Sequence, residues 1–238
     1  RGLEHAAVMA GAEVFCHSPV LNIEPCTGGW RVVSAQGFKV EAPSLVLATN
    51  GYTNSLWPDL QRQVVAVVSR QTATRPLPDR VLKSILPQGH HVADTRHSPV
   101  YFRVDSSGRF QIGGRGNPFS TRHQLGSTRH LRREALRIYP QLAKIEWEFD
   151  WGGLVAITQT RAPQLLELSK NAFAGLGYNG RGVAMGTLMG AQLAQRVCGE
   201  DSAMPLQSLS PMPFHAWRNL GVAWHIYSGR LLDYLERR

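Results

Sequence analysis

The sequence predicts an α/β (α+β) fold in which an antiparallel sheet interrupts a second, mixed unit. Two textures predict it. The middle of the chain is dense in β-branched and alternating runs and holds one amphipathic helix. The flanks instead join continuous apolar strands to Gly-containing turns and helices. Composition agrees, since 43% apolar and 18% charged residues exclude a disordered chain. A length of 238 residues allows one large core or two small ones. Cys16, Cys26 and Cys198 show no C-x-x-C spacing, which argues against a disulfide scaffold and a zinc ribbon. No apolar run approaches the roughly 18 residues of a membrane span.

The elements follow in order. Gly2 to Ala12 is rich in Ala, Leu and Met and stops at Gly11, as a helix with a C-terminal Gly does. Glu13 to His17 and Val20 to Glu24 read as short extended pieces. Gly29–Val33 and Phe38–Glu41 alternate around Gln36-Gly37 as a hairpin. Ser44-Leu-Val-Leu-Ala48 is a continuous apolar run, suited to a strand covered on both faces, and it breaks at Thr49-Asn-Gly-Tyr-Thr53. Val64 to Thr74 is a long β-branched strand, closed by Arg75-Pro-Leu-Pro78. Val100–Val104 and Arg109–Ile112 flank Asp105-Ser-Ser-Gly108, the clearest hairpin of the chain. Ile145 to Trp151 alternates as a further strand. After Ala162-Pro163, the strand candidate Asn171–Ala174 runs into a Gly-rich turn and a helix over Val183–Val197. A Pro/Ser-rich link over Ser202–Pro213 leads to a last helix over Ala223–Glu236.

A formal charge of +9 invites a nucleic-acid reading. The excess is thickest between Thr121 and Arg137. There Leu125, Leu131, Ala135, Leu136 and Ile138 form a buried stripe at helical period, and Arg129, Arg132, Arg133 and Arg137 decorate the outside. A solvated helix face accounts for the charge without nucleic acid. His90, His91 and His97 lack metal-ligand spacing, and no Ser/His/Asp or Cys/His nucleophile arrangement is present.

Gly175-Leu-Gly-Tyr-Asn-Gly-Arg-Gly182 is the richest site signal. Four glycines let the backbone turn sharply and approach a ligand, and the following helix offers unpaired N–H groups to partial negative charge. The spacing is neither G-x-G-x-x-G nor a Walker loop. A phosphate, a carbonyl edge that gains negative charge, and a tight packing turn all fit it. Along that helix Gly186, Gly190 and Ala194 leave one flat face for a close neighbour.

Phe173-Ala-Gly-Leu-Gly-Tyr-Asn-Gly-Arg-Gly-Val-Ala-Met-Gly-Thr187 resembles the C-terminal flavin-binding segment of the FAD-dependent D-amino-acid-oxidase/glycine-oxidase (DAO) superfamily. Gly2–Ala12, Ser44–Thr53, Tyr101–Arg115, Trp151-Gly-Gly-Leu154 and Arg161-Ala-Pro163 resemble further family segments in family order. The wording is most similar to γ-glutamylputrescine oxidase-like members. No G-x-G-x-x-G unit is present, and the chain opens Arg1-Gly-Leu-Glu-His without an initiator Met or a signal peptide. The resemblance therefore implies the C-terminal part of a longer enzyme, inactive by itself and cytoplasmic. It carries an incomplete FAD-binding Rossmann-like domain plus an antiparallel-sheet substrate domain. The implied boundaries are 1–57 and 159–198 for the FAD domain, 58–158 for the substrate domain, and 199–238 for a helical extension.

The same resemblance implies the chemistry. FAD takes a hydride at N5 from the carbon next to the nitrogen of a small-molecule amine, the imine is hydrolysed, and dioxygen or another acceptor takes the electrons. Val20, Ala48, Thr49, Asn50, Gly51, Gly177, Tyr178, Asn179, Gly180, Arg181, Gly182 and Val183 are the expected cofactor-binding residues. Tyr101 and Arg103, on one strand face at period 2, and Trp151 are the expected catalytic or pocket-wall residues. The position where glycine and D-amino acid oxidases carry a carboxylate-clamping Arg is Val155 here, which points to an amine or N-substituted amine. Two competing readings are a remnant unable to hold FAD and a basic nucleic-acid-binding domain.

Overall fold

The computed structural model describes residues 2–121 and 123–235. Arg1, and the expected end of the last helix at Glu236, lie outside them. Helix α1 (Gly2–Met9) is exposed along its whole length and stops where Gly11 takes φ 95°. Glu13–His17 forms no strand, a correction to the expectation, because no described strand pairs with it and His17 adopts φ 54°. Strands β1 (Val20–Cys26), β2 (Gly29–Ser34) and β3 (Lys39–Ala42) make an antiparallel meander. Trp30 anchors it: the ring packs at 5.2 Å on Trp57 and its Nε1 donates to the Lys170 carbonyl at 3.2 Å.

Strand β4 (Leu45–Leu47) follows, and the turn after it leads to the long β5 (Val65–Pro76). A one-turn helix α2 (Asp79–Leu82) and β6 (Val92–Ala93) precede the hairpin β7 (Val100–Val104) and β8 (Arg109–Arg115). Helix α3 (Arg129–Ile138) and β9 (Trp147–Ile157) complete this middle part. Its five strands form an antiparallel sheet in the order β6-β7-β8-β5-β9. Phe102, Phe110 and Ile112 on one face bury against Leu131 and Ala135 of α3. The other face carries the row Trp151–Gln71–Gly113–Tyr101 and stays open.

Strands β10 (Gln164–Ser169) and β11 (Ala172–Leu176), helix α4 (Gly182–Val197), the short β12 (Leu206–Gln207) and helix α5 (Arg218–Leu235) finish the chain. The second sheet runs β12-β10-β11-β4, with β11 parallel to β4 and antiparallel to β10. Every residue of β11 is buried. Gly175 lets α4 press onto it, since a Cβ there would lie 2.4 Å from Met189 Cγ. Strand β4 is covered on one face only: Leu47 is buried with Leu60 and Val64, but Val46 is 39% exposed. The apolar run therefore overstated its covering, because no described residue closes over the second face. On α4, Gly186 and Gly190 meet nothing within 4 Å, so the small-residue face is open among the described residues. No helix among them is long and apolar enough to cross a membrane.

The arginines of α3 are partly consumed by ion pairs. Arg132 bonds Asp150 and lies 5.5 Å over the Trp147 ring, and Arg137 donates to Glu134 at 2.7 Å. Leu125 falls in the loop before the helix, not on its stripe. Glu134 also receives Arg96 Nη1 at 2.5 Å, so α3 is tied to the loop ahead of β7. Burial pushes the Glu134 carboxyl up, but bonds from Arg137 and Arg96 and their charges outweigh it and hold it below the usual range. A depressed carboxyl contributes stability above its unfolded-state pKa, and that contribution is lost as pH falls through the folded-state value. Glu134→Gln is expected to cost about 1–2 kcal/mol at neutral pH. The loss should vanish in strong acid, as read from thermal melts of both proteins across that range.

Candidate active site

Two turns leave neighbouring strands of the second sheet on the same side. After β4, Asn50 takes φ 43°, and Thr49 and Thr53 share a hydroxyl bond of 2.7 Å. Buried Gly51 lies on the backbone of Leu154 in β9, where an added Cβ would sit 2.5 Å from the Leu154 oxygen. The Leu154 N–H donates to the Tyr52 hydroxyl at 3.2 Å. After β11, Gly177, Asn179 and Gly180 all have positive φ (78°, 50° and 89°), which folds the chain back sharply before α4.

Side chains lock these turns together. Asn50 Oδ1 accepts the Gly177 N–H at 3.0 Å, joining one turn to the other. Asn179 Oδ1 accepts the Thr158 N–H at 3.0 Å, and its Nδ2 donates to the Gly177 carbonyl and, at 3.2 Å, to Thr158 Oγ1. The Tyr178 hydroxyl donates to the Gly175 carbonyl at 3.2 Å, and burial raises that phenol. Both asparagine side chains are thus spent on shaping the turns, which leaves backbone and small side chains to face a ligand. Helix α4 then begins with no side-chain cap, and its first ladder bond runs from Met185 N to Arg181 O. Gly182 and Val183 lie ahead of that bond, and Val183 is 96% exposed.

A cavity of about 500 Å³ opens between the second turn, the open face of the antiparallel sheet and α5. Val65, Val67 and Ser69 of β5 and Val155 and Ile157 of β9 form its floor. Asn179, Gly180 and Arg181 form one rim, and Val222, His225 and Ile226 of α5 form the roof. The roof is tied at both ends. The Asp233 carboxylate accepts the N–H groups of His97 and Ser98 at 2.8 and 3.0 Å, and His215 Nε2 meets the Val64 carbonyl at 2.9 Å.

The expected cofactor-binding segments 48–51 and 177–183 therefore lie side by side, whereas Val20 begins β1 on the meander and does not line the cavity. Of the three expected catalytic or wall residues, Tyr101 lines it. The Tyr101 hydroxyl bonds Ser69 Oγ at 2.8 Å, and its ring lies flat where a Cβ on Gly113 would stand. Arg103 Nε donates to Gln111 at 3.1 Å beside a separate hollow of about 310 Å³. Trp151 shares the open face, 39% exposed, without lining the cavity. Arg115 and His225 were not singled out from sequence. Arg115 had a signal, since it follows Gly113 at period 2 and so shares the face of Tyr101. His225 had none, because only the docking of α5 brings it in. No group of three His, Cys, Asp or Glu among the described residues could hold a metal.

Comparison with known proteins gives this geometry a context. Residues 1–196 match the family described as FAD dependent oxidoreductase, DAO. The chain is 32% identical over 212 residues to the probable oxidoreductase OrdL of Rhizobium meliloti strain 1021, covering 89% of this chain and 49% of that protein. It is 26% identical over 223 residues to the gamma-glutamylputrescine oxidoreductase of Escherichia coli K12, covering 93% and 52%. The fold is similar to the crystal structure of glycine oxidase from Geobacillus kaustophilus, with TM-score 0.70 and 22% identity over 89% of this chain and 56% of that one. The chain spans about half the length of the curated relatives it matches.

Proposed function

From the premise that the chain belongs to the DAO family of FAD-dependent oxidoreductases, we propose that it oxidises the C–N bond of an amine or N-substituted amine in the cytoplasm, as part of a longer polypeptide. One observation carries the reading: Asn50 Oδ1 accepts the Gly177 N–H and so joins two cofactor-type turns, the second of which lines the cavity through Asn179, Gly180 and Arg181. The residues present fit a flavin. Ala48, Thr49, Gly51, Gly177, Gly180 and Gly182 offer small side chains and backbone, and the uncapped start of α4 offers N–H groups to an oxygen that gains negative charge. Val20 would meet the adenine side through its backbone. Bound FAD would supply the acceptor for a hydride from the carbon beside the substrate nitrogen, and dioxygen or another acceptor would take the electrons onward.

Within the chain, residues 1–57 and 159–198 serve the cofactor, 58–158 the substrate, and 199–238 the roof. Tyr101 would orient substrate through its hydroxyl from the open face, and Val67, Val155 and Ile157 would keep the reacting carbon dry. Arg103 and Trp151 would bound the outer substrate path on that face. Val155 stands where a carboxylate clamp on a simple α-amino acid would be needed, which favours amines. The relative that is a gamma-glutamylputrescine oxidoreductase supports that substrate class. The 238 residues alone would be inactive, since α1 is wholly exposed and the small-residue face of α4 is open. The complete protein is expected to purify yellow and to bleach anaerobically with the right amine. A complete protein that stays colourless with added FAD would overturn the reading.

A further inference from the structure

We propose that the cavity beneath α5 holds a carboxylate carried by the substrate amine at a distance from its reacting nitrogen, gripped by Arg115 and Arg161. This rests on the amine-oxidation reading above and names its substrate class. The charge census of the cavity carries it. Arg115, Arg161, Arg181 and His225 line the space, and no Asp or Glu does. The rest of that lining is largely aliphatic; Arg115 is half-buried beside it, whereas Arg161, Arg181 and His225 keep contact with solvent.

Elsewhere several half-buried cations are paired, although the buried Arg70 is in no ion pair among the described residues. Arg31, Arg96, Arg109, Arg132 and Arg137 each meet a carboxylate. The side chains of Arg115 and Arg161 meet none, and no hydrogen bond to either guanidinium is found among the described residues. The electrostatics of Arg115 and His225 record the cost. Burial lowers the Arg115 guanidinium, and the Arg161 charge lowers it further. The His225 imidazole is lowered by burial, then by Arg115, Arg161 and His97. Like charges that converge on one cavity without a counter-ion are a ground-state cost that an anion would relieve. Each guanidinium presents a planar fork suited to a carboxylate. Arg161 is held in place by its own backbone, at φ 55° with its N–H on the Thr158 carbonyl at 3.2 Å, one turn from the Asn179 network. Arg115 ends β8 on the open face, two residues past the Gly113 that seats Tyr101.

The test uses the complete FAD-loaded enzyme and a series of ω-amino acids, each matched with the alkylamine of equal chain length. Anaerobic flavin reduction is expected to favour the ω-amino acid at the best length. Arg115→Met and Arg161→Gln should each cut that preference about tenfold, the scale of one charge-assisted hydrogen bond. Arg115→Lys, which keeps the charge, should recover part of it. Glutarate, which has no C–N bond to oxidise, serves as the binding probe, read by calorimetry. Its affinity should fall in Arg115→Met and Arg161→Gln while flavin content stays that of the parent. Equal rates for matched amines at every length, or variants that leave the preference unchanged, would overturn the proposal. Variants that lose FAD while glutarate binding persists would also overturn it, since the arginines would then serve the cofactor. If no amine reduces the flavin yet glutarate still binds through both arginines, the anion site stands and amine oxidation falls.

Discussion

Gly177→Ala is expected to destabilise the protein by about 3–4 kcal/mol, the sum of a backbone and a packing cost. Gly177 sits at φ +78°, where an L side chain costs about 1–2 kcal/mol. The added methyl would also stand 2.2 Å from Thr158 Cγ2. Thr158 cannot turn away. It is 2% exposed, its hydroxyl donates to the Ala162 carbonyl at 2.8 Å, and the same oxygen accepts Asn179 Nδ2 at 3.2 Å. Rotating that side chain would therefore dismantle the bonds that shape the turn. Gly180→Ala separates the two costs, since Gly180 has φ +89° but meets nothing within 4 Å. It should lose only the backbone part, about 1–2 kcal/mol. Urea denaturation of the complete protein measures both, and equal losses would refute the role given to Thr158.

Local chemistry made much of this fold legible. The hairpin around Asp105 to Gly108 appears at β7 and β8 because Asp105 Oδ1 accepts the N–H groups of Ser107 and Arg109, a turn written in adjacent residues. The strand, Gly-rich turn and helix from Ala172 to Val197 were equally readable, since the glycines mark positive-φ positions directly. What failed depends on partners distant in sequence. Gln164–Ser169 carries no alternating pattern that announces a strand, and pairing with β11 and β12 makes it one. Glu13–His17 looked like a strand and has no described partner. The candidate site divides the same way. Its turns were visible as Thr49-Asn-Gly51 and Gly177 to Gly182, but its roof was not. The roof exists because Asp233 reaches the backbone of His97 and Ser98, a pairing no local pattern announces. Arg103 illustrates the limit of periodicity: it shares the face of Tyr101, yet Tyr101 lines both hollows and Arg103 only the second.

Gly51→Ala should be nearly as damaging, by about 2–4 kcal/mol, although Gly51 needs no unusual backbone angle. Its constraint is proximity. The new methyl would lie 2.5 Å from the Leu154 oxygen, 2.9 Å from its carbonyl carbon and 3.2 Å from its Cβ. Backbone cannot yield there as a flexible side-chain end can, because Leu154 is held in register with Val68 in the middle of the β5–β9 ladder. The turn must move instead, and it is held from the other side by Asn50 Oδ1 on the Gly177 N–H. Relief of the clash thus pulls on the bond that joins the two turns. Asn50→Ala deletes that bond without adding bulk and should cost only about 1–1.5 kcal/mol. Gly51→Ala should exceed it, and should also speed amide exchange at Gly177, a residue its methyl never touches. Unchanged Gly177 exchange would show that β9 shifts rather than the turn, and that the two turns are not mechanically coupled.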